Sequence, residues 1–84
     1  MKPIRLSQHA LNYIPQRGFT IAEVEETIRN GDWQPVASNR MECHQDFSYN
    51  GIWNGKAYKT KQVRPIFVDE PTEIVVITVY TYFF

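Results

Sequence analysis

Hydrophobic residues between positions 20 and 30 recur at the three- and four-residue spacing that is typical of an amphipathic helix. The segment Thr20-Ile21-Ala22-Glu23 has the form of a capping box, in which two side chains satisfy free N–H groups of the first turn. We therefore predict a helix over this stretch that ends at Asn30-Gly31, with the glycine in the left-handed conformation. Its apolar face carries Ile21, Val24 and Ile28.

A shorter helix is predicted before it. Ser7 is a suitable N-cap for a helix that starts at Gln8 and extends to Tyr13 or Gln16. Pro15 is expected to end or kink this helix, because proline has no N–H to donate.

From Trp33 onward the pattern changes to β-forming residues separated by turn signals. Asn50-Gly51 and Asn54-Gly55 favour tight turns, and Pro65 favours a strand edge or a bulge. The apolar run 74–77 indicates burial on both faces, which places the last strand inside the sheet. Four strands are predicted, over Trp33–Ser38, Glu42–Tyr49, Lys56–Val68 and Glu73–Phe83.

The expected fold class is therefore α+β, with two N-terminal helices packed on a twisted four-stranded antiparallel sheet. The helix and the last strand are expected to share one core, formed by Ile21, Val24, Ile28, Val75, Ile77 and Val79. With 84 residues, the chain is expected to be a single domain over 1–84.

Composition narrows the functional classes. The formal net charge is zero, which argues against nucleic-acid binding by bulk charge but leaves room for a local basic patch. A single cysteine cannot form an internal disulfide, and the N-terminus lacks the apolar segment of a signal peptide. We expect a cytoplasmic protein without a membrane span.

His9 and Arg17 are the first candidates for chemistry. An imidazole can move a proton between the 2′-oxygen of RNA and the leaving group, and a guanidinium can hold the phosphate. The alternative is that His9 is half-buried on a backbone carbonyl and Arg17 pairs with a helix acid.

Two later segments are candidates for substrate binding. Residues 56–64 contain four cations and no acid, among them Lys59, Lys61 and Arg64, with Tyr58 between them. Basic residues among aromatics suit RNA, whereas lysines can also protect an edge strand from pairing. In the last strand one face presents Thr78, Tyr80 and Tyr82, which suit stacking or hydrogen bonding to phosphate, or else a core or dimer interface.

Metal and cofactor signals are weak in the sequence. Cys43 and His44 are adjacent, so they would face opposite sides of a strand, and no second ligand cluster accompanies them. The sequence has no phosphate-binding glycine loop, and we expect no cofactor.

Three short motifs resemble a bacterial domain family of unknown function. They are Leu6-Ser7-Gln8-His9-Ala10, Arg17-Gly18-Phe19-Thr20 and Ile77-Thr78-Val79-Tyr80. That family is grouped with RelE/ParE-type toxins and related small ribonucleases. The resemblance implies a RelE-like fold, an RNA or ribosome target and a cognate antitoxin. It also implies site residues at His9, Arg17 and Thr78 or Tyr80, with Lys61 and Arg64 as further cations. Where many members have arginine four residues after the histidine, this chain has Tyr13.

Two hypotheses follow from different functional classes. One is a metal-independent endoribonuclease of the toxin type, with catalytic His9, Arg17 and Tyr80. The other is a non-catalytic module of the same fold that binds protein or RNA, or a second copy of the chain, through its tyrosine-rich end.

Overall fold

The computed structural model describes residues 2–84. Its elements in chain order are β1 (Ile4–Leu6), α1 (Gln8–Asn12), α2 (Ile14–Arg17), α3 (Ile21–Asn30), β2 (Gln34–Val36), β3 (Arg40–Glu42), β4 (Gln45–Trp53), β5 (Lys56–Asp69) and β6 (Ile74–Phe83). The fold is mixed α+β, as expected, although the helices and strands differ in number from the prediction.

The second predicted helix, α3, forms with its capping box in place. The Thr20 hydroxyl accepts from the Glu23 N–H at 3.1 Å, and the Glu23 carboxylate accepts from the Thr20 N–H at 2.9 Å. The prediction of a left-handed conformation for Gly31 is wrong, because this residue is extended, with φ −82°. A Cβ there would lie 2.7 Å from the Thr27 carbonyl oxygen, so close packing is what requires a glycine.

The first predicted helix is two short helices, so the chain has three helices rather than two. Ser7 caps α1 by accepting from the Ala10 N–H at 3.1 Å. Pro15 cannot donate to a carbonyl four residues back, and α1 therefore ends at Asn12 before α2 begins. Proline fits the first turn of α2, where an N–H would have no helical partner.

The sheet has six strands and is not purely antiparallel. The strand order is β1-β6-β5-β3-β2, and β4 also pairs with β5. The short strand β1, absent from the prediction, pairs in parallel with Ile74–Val76. It places the start of β6 inside the sheet, as the apolar run predicts, while the remainder of β6 pairs with β5 alone.

The two Asn-Gly dipeptides of the hairpin formed by β4 and β5 adopt different structures. Asn54 and Gly55 both have positive φ and form the predicted tight turn between β4 and β5. Asn50, also at positive φ, instead lies in a bulge within β4. The strand predicted over Glu42–Tyr49 is divided into β3 and β4 by a break at 43–44. As a result the two strands pair with different parts of β5.

A bulge in β6, opposite Ile66 and Phe67 of β5, determines which residues of β6 face the core. It leaves Ile77 as the extra residue of β6, so the alternation of faces changes phase there. Ile74, Val76 and Val79 consequently belong to the core, with Val24 and Ile28 of α3. The predicted core was wrong at Ile77, which is half-buried, and at Ile21, which is 45% exposed. Val75 is buried as predicted, although it lies outside this cluster.

The two faces of the sheet differ. The covered face packs against the helices and bears Val63, Phe67 and Val79, all fully buried. The open face bears the alternate residues Arg64, Tyr80 and Tyr82, of which the tyrosines are 40% and 48% exposed. No helix within residues 2–84 is long and apolar enough to cross a membrane.

Candidate nucleic-acid interface

Lys61 lies on the covered face, where its charge is used within the fold. Its side chain is buried, and Nζ contacts a Glu23 carboxylate oxygen at 2.8 Å and the Gly18 carbonyl oxygen at 3.0 Å. The ammonium therefore connects the sheet to the start of α3. This structural role replaces the expectation that Lys61 binds substrate, because the ammonium is buried and contacts two groups of the fold.

Lys59 is exposed on the part of the hairpin that extends beyond the end of β6. The last backbone bonds between the two strands join Thr60 and Phe84, one residue further along. Lys59 borders an open cavity of about 410 Å³, together with Ile52 and Tyr58. It is therefore separated from the other candidates along β5.

Arg17 is held at the free edge of β6. Its Nη1 donates to the Thr78 hydroxyl at 3.1 Å and to the Val79 carbonyl oxygen at 2.9 Å. Its guanidinium carbon lies 3.8 Å from the centre of the Tyr13 ring and 4.9 Å from that of Tyr80. Stacking on two rings and two hydrogen bonds fix the orientation of this cation.

The charge of Arg17 is not neutralised by a carboxylate within residues 2–84. Among the described lysines and arginines that are buried or half-buried, the other three each pair with an acid: Lys2 with Asp69, Lys61 with Glu23, and Arg64 with Glu42. The alternative in which Arg17 pairs with a helix acid is therefore wrong. A half-buried cation with aromatic neighbours and no counter-ion is suited to an anion from outside the chain.

His9 is exposed and joins Arg17 through one aromatic ring. The imidazole packs edge-on against Tyr13, with ring centres 4.9 Å apart. It forms no side-chain hydrogen bond with residues 2–84, so the alternative of a half-buried His9 on a backbone carbonyl does not apply. Tyr13 occupies the position where many members of the similar family have arginine. Its ring contacts both His9 and Arg17 and so links these two candidates.

The spacing of four residues between His9, Tyr13 and Arg17 is the signal that could have identified Tyr13 from the sequence. Side chains at this spacing meet on one side of a helix. The spacing survives the break between α1 and α2 because the break adds only one non-helical residue.

Tyr80 and Tyr82 extend this surface across the open face. The register places Tyr80 opposite Arg64, and the guanidinium carbon of Arg64 lies 6.0 Å from the Tyr82 ring centre. We name His9, Tyr13, Arg17, Arg64, Thr78, Tyr80 and Tyr82 the open-face cluster. It unites six of the eight residues singled out from the sequence, and leaves out Lys59 and Lys61.

The open-face cluster combines the groups that single-stranded nucleic acid requires. Residues two apart on a strand are about 7 Å from each other, so the two tyrosine rings offer separate stacking surfaces to bases that are not stacked on one another. Arg17 lies beside the Tyr80 ring and can neutralise a phosphate, and Arg64, which is paired with Glu42, lies beside the Tyr82 ring. His9 adds an imidazole, whose ring packs against Tyr13.

A second cavity, of about 270 Å³, borders Arg64 on the same side of the sheet. Its lining includes Asp32, Gln34, Glu42 and His44, which the sequence analysis did not connect. Gln34 and Glu42 are paired across β2 and β3, a contact that sequence spacing does not indicate. Within residues 2–84, no three histidine, cysteine or acidic side chains gather as a metal site.

The family described as Domain of unknown function (DUF4258) matches residues 6–81. The chain belongs to this family. No curated protein sequence and no solved structure matches it significantly.

Proposed function

We propose that this protein is an RNA-directed domain of the RelE-like toxin type, which cleaves RNA as a metal-independent endoribonuclease. The observation that carries the proposal is Arg17, a half-buried cation that lies over the rings of Tyr13 and Tyr80 and has no carboxylate partner within residues 2–84. A phosphodiester gains negative charge in the transition state of cleavage, and a fixed guanidinium stabilises that charge.

The reaction proposed is transesterification through the 2′-hydroxyl of the RNA. His9 accepts the proton of this hydroxyl while the 2′-oxygen attacks phosphorus, and Arg17 holds the non-bridging oxygens. The bond from phosphorus to the 5′-oxygen breaks, and the Tyr80 hydroxyl donates a proton to that leaving oxygen. Transfer of the proton from imidazolium back to tyrosinate completes the cycle. The products are a 2′,3′-cyclic phosphate and a 5′-hydroxyl.

The test is cleavage of a labelled single-stranded RNA in the presence of EDTA. The proposal expects ends with a 2′,3′-cyclic phosphate and a loss of at least about 100-fold in rate for His9→Ala and for Arg17→Ala. Lys59→Ala serves as the control, because it removes an exposed cation outside the open-face cluster. Absence of cleavage by the unsubstituted protein, or a rate unchanged in His9→Ala, would reject the enzyme.

The second candidate is a non-catalytic module that binds RNA or a partner such as a cognate antitoxin. The observation in its favour is the end of β6, where Tyr80, Tyr82 and Phe84 are exposed and Ile74–Phe84 carries no charge. Proteins usually protect such an edge with charges or proline. Beyond Val79, which Arg17 contacts, this edge has neither, and such an edge suits a partner. Binding of RNA without cleavage, lost in Tyr82→Ala, would favour this candidate.

A further inference from the structure

The cavity beside Arg64 contains hydrogen-bonding groups that are only partly used within the fold. It is lined by Asp32, Gln34, Glu42, Cys43, His44 and Arg64. The register aligns Gln34, Glu42 and Ile66 in one row across β2, β3 and β5, and the next residue outward on that face of β5 is Arg64. The cavity thus opens on the same side of the sheet as the two exposed tyrosines.

Arg64 and Glu42 form an ion pair, but the distance leaves the hydrogen-bonding capacity of both side chains unfilled. Arg64 Nη1 lies 3.6 Å from a Glu42 carboxylate oxygen, and Nη2 lies 3.5 Å from the Gln62 side-chain oxygen. Charge-assisted hydrogen bonds of this kind normally measure about 2.7–2.9 Å. The Nε of Arg64 is buried and has no partner within residues 2–84. A ligand that accepts from the guanidinium and donates to the carboxylate would satisfy both groups.

We propose that this cavity binds a guanine base. Guanine presents an acceptor, O6, beside two adjacent donors, the N1–H and the 2-amino group, so its edge complements a guanidinium beside a carboxylate. Glu42 accepts from N1–H, Arg64 donates to O6, and Asp32 accepts from the 2-amino group. Adenine lacks the O6 acceptor and the N1 donor, and uracil lacks the second donor.

This inference rests on the proposed function only in taking RNA as the source of the base. Arg64 connects the cavity to the open-face cluster through its contact with Tyr82. A strand stacked on Tyr80 and Tyr82 would therefore have a neighbouring base within reach of the cavity. The cavity then selects RNA with a guanine at this position.

The test uses nucleosides, which have no phosphate to bind Arg17. Amide shifts in ¹H–¹⁵N NMR spectra follow titrations with guanosine, inosine, adenosine and uridine. Guanosine is expected to bind at least about tenfold more tightly than adenosine or uridine, with shifts centred on Glu42 and His44. Inosine, which lacks only the 2-amino group, is expected to bind with intermediate affinity.

Two variants and one control complete the experiment. Glu42→Gln is expected to abolish the preference for guanosine, and Asp32→Asn, at an exposed position, is expected to make guanosine and inosine equivalent. Glu25→Gln changes a helix carboxylate that pairs with Arg29 and should leave binding unchanged. Equal affinity for all four nucleosides, or shifts away from the cavity, would overturn the inference. Guanosine binding without RNA cleavage would instead reject only the endoribonuclease.

Discussion

The covered and open faces of the sheet use similar residues for different purposes. On the covered face Lys61 is buried and contacts Glu23 and Gly18. On the open face Arg64 is half-buried, with only long contacts to its neighbours. The two cations are three residues apart on β5, and strand alternation alone assigns them to opposite faces.

This difference shows that a segment rich in basic and aromatic residues does not form a single surface. Strand alternation divides it into a structural half and an exposed half, and only the exposed half is available to a ligand. Variants on the covered face should therefore change the free energy of unfolding, and variants on the open face should change ligand binding.

The largest stability difference is expected between two aromatic residues. Phe67→Ala should lower the free energy of unfolding by about 3–5 kcal/mol, because Phe67 is fully buried in the core. Tyr82→Ala should lower it by less than about 0.5 kcal/mol, because the side chain is half-exposed. Urea denaturation followed by circular dichroism measures both. Similar losses in the two variants would remove the distinction between the faces.

A smaller difference is expected between two cations. Lys61→Ala should lower the free energy of unfolding by about 3 kcal/mol. This value is near the lower end of the losses expected when a buried ion pair is broken, because Glu23 keeps partial access to water. Arg29→Ala, which breaks an exposed pair on α3, should cost under about 0.5 kcal/mol. Urea melts of the two variants provide the measurement. A Lys61→Ala protein as stable as Arg29→Ala would show that the buried pair does not support the covered face.

The smallest effect concerns pH. Burial, and to a lesser extent the charge of Glu42, raises the pKa of the Cys43 thiol to about 11 from an ordinary value of 9.0. The folded chain thus keeps this proton after the unfolded chain has lost it. The contribution of this thiol to the free energy of unfolding is therefore constant below pH 9 and declines as the pH rises from about 9 to about 11.

Denaturation midpoints of the unsubstituted protein and Cys43→Ala, measured from pH 8 to 11, test this shift. The difference between the two proteins should shrink across that window. A constant difference would place the Cys43 thiol in a more solvated position than the core.

Local signals in the sequence predicted much of the fold. The capping box at Thr20 and the apolar run at the start of β6 are determined by neighbouring residues, and both were confirmed. The strand β1 is only three residues long and depends on parallel pairing with a distant segment, so no local pattern reveals it. The bulge at Ile77 likewise depends on pairing, and it changed which residues of β6 face the core.

The residue types of the candidate site could be predicted from the sequence, but the face of the sheet on which each residue lies could not. His9, Arg17 and Tyr80 were singled out by chemistry and resemblance; in the structure Tyr13 contacts His9 and Arg17, and Arg17 contacts Tyr80. That Lys61 lies beneath the helices could not be inferred, because the sequence gives the alternation along β5 without showing which side is covered. Joint catalysis by these residues stays a prediction.

The most direct test of the open face is binding of a fluorescent single-stranded RNA to Arg17→Gln. The matched control is Arg29→Gln, an identical change of charge on a helix of the covered face. We predict that Arg17→Gln binds about tenfold more weakly, with a salt dependence reduced by about one phosphate contact, while its circular dichroism spectrum shows that it remains folded. Equal affinities for the two variants would contradict the assignment of the open face as the nucleic-acid interface.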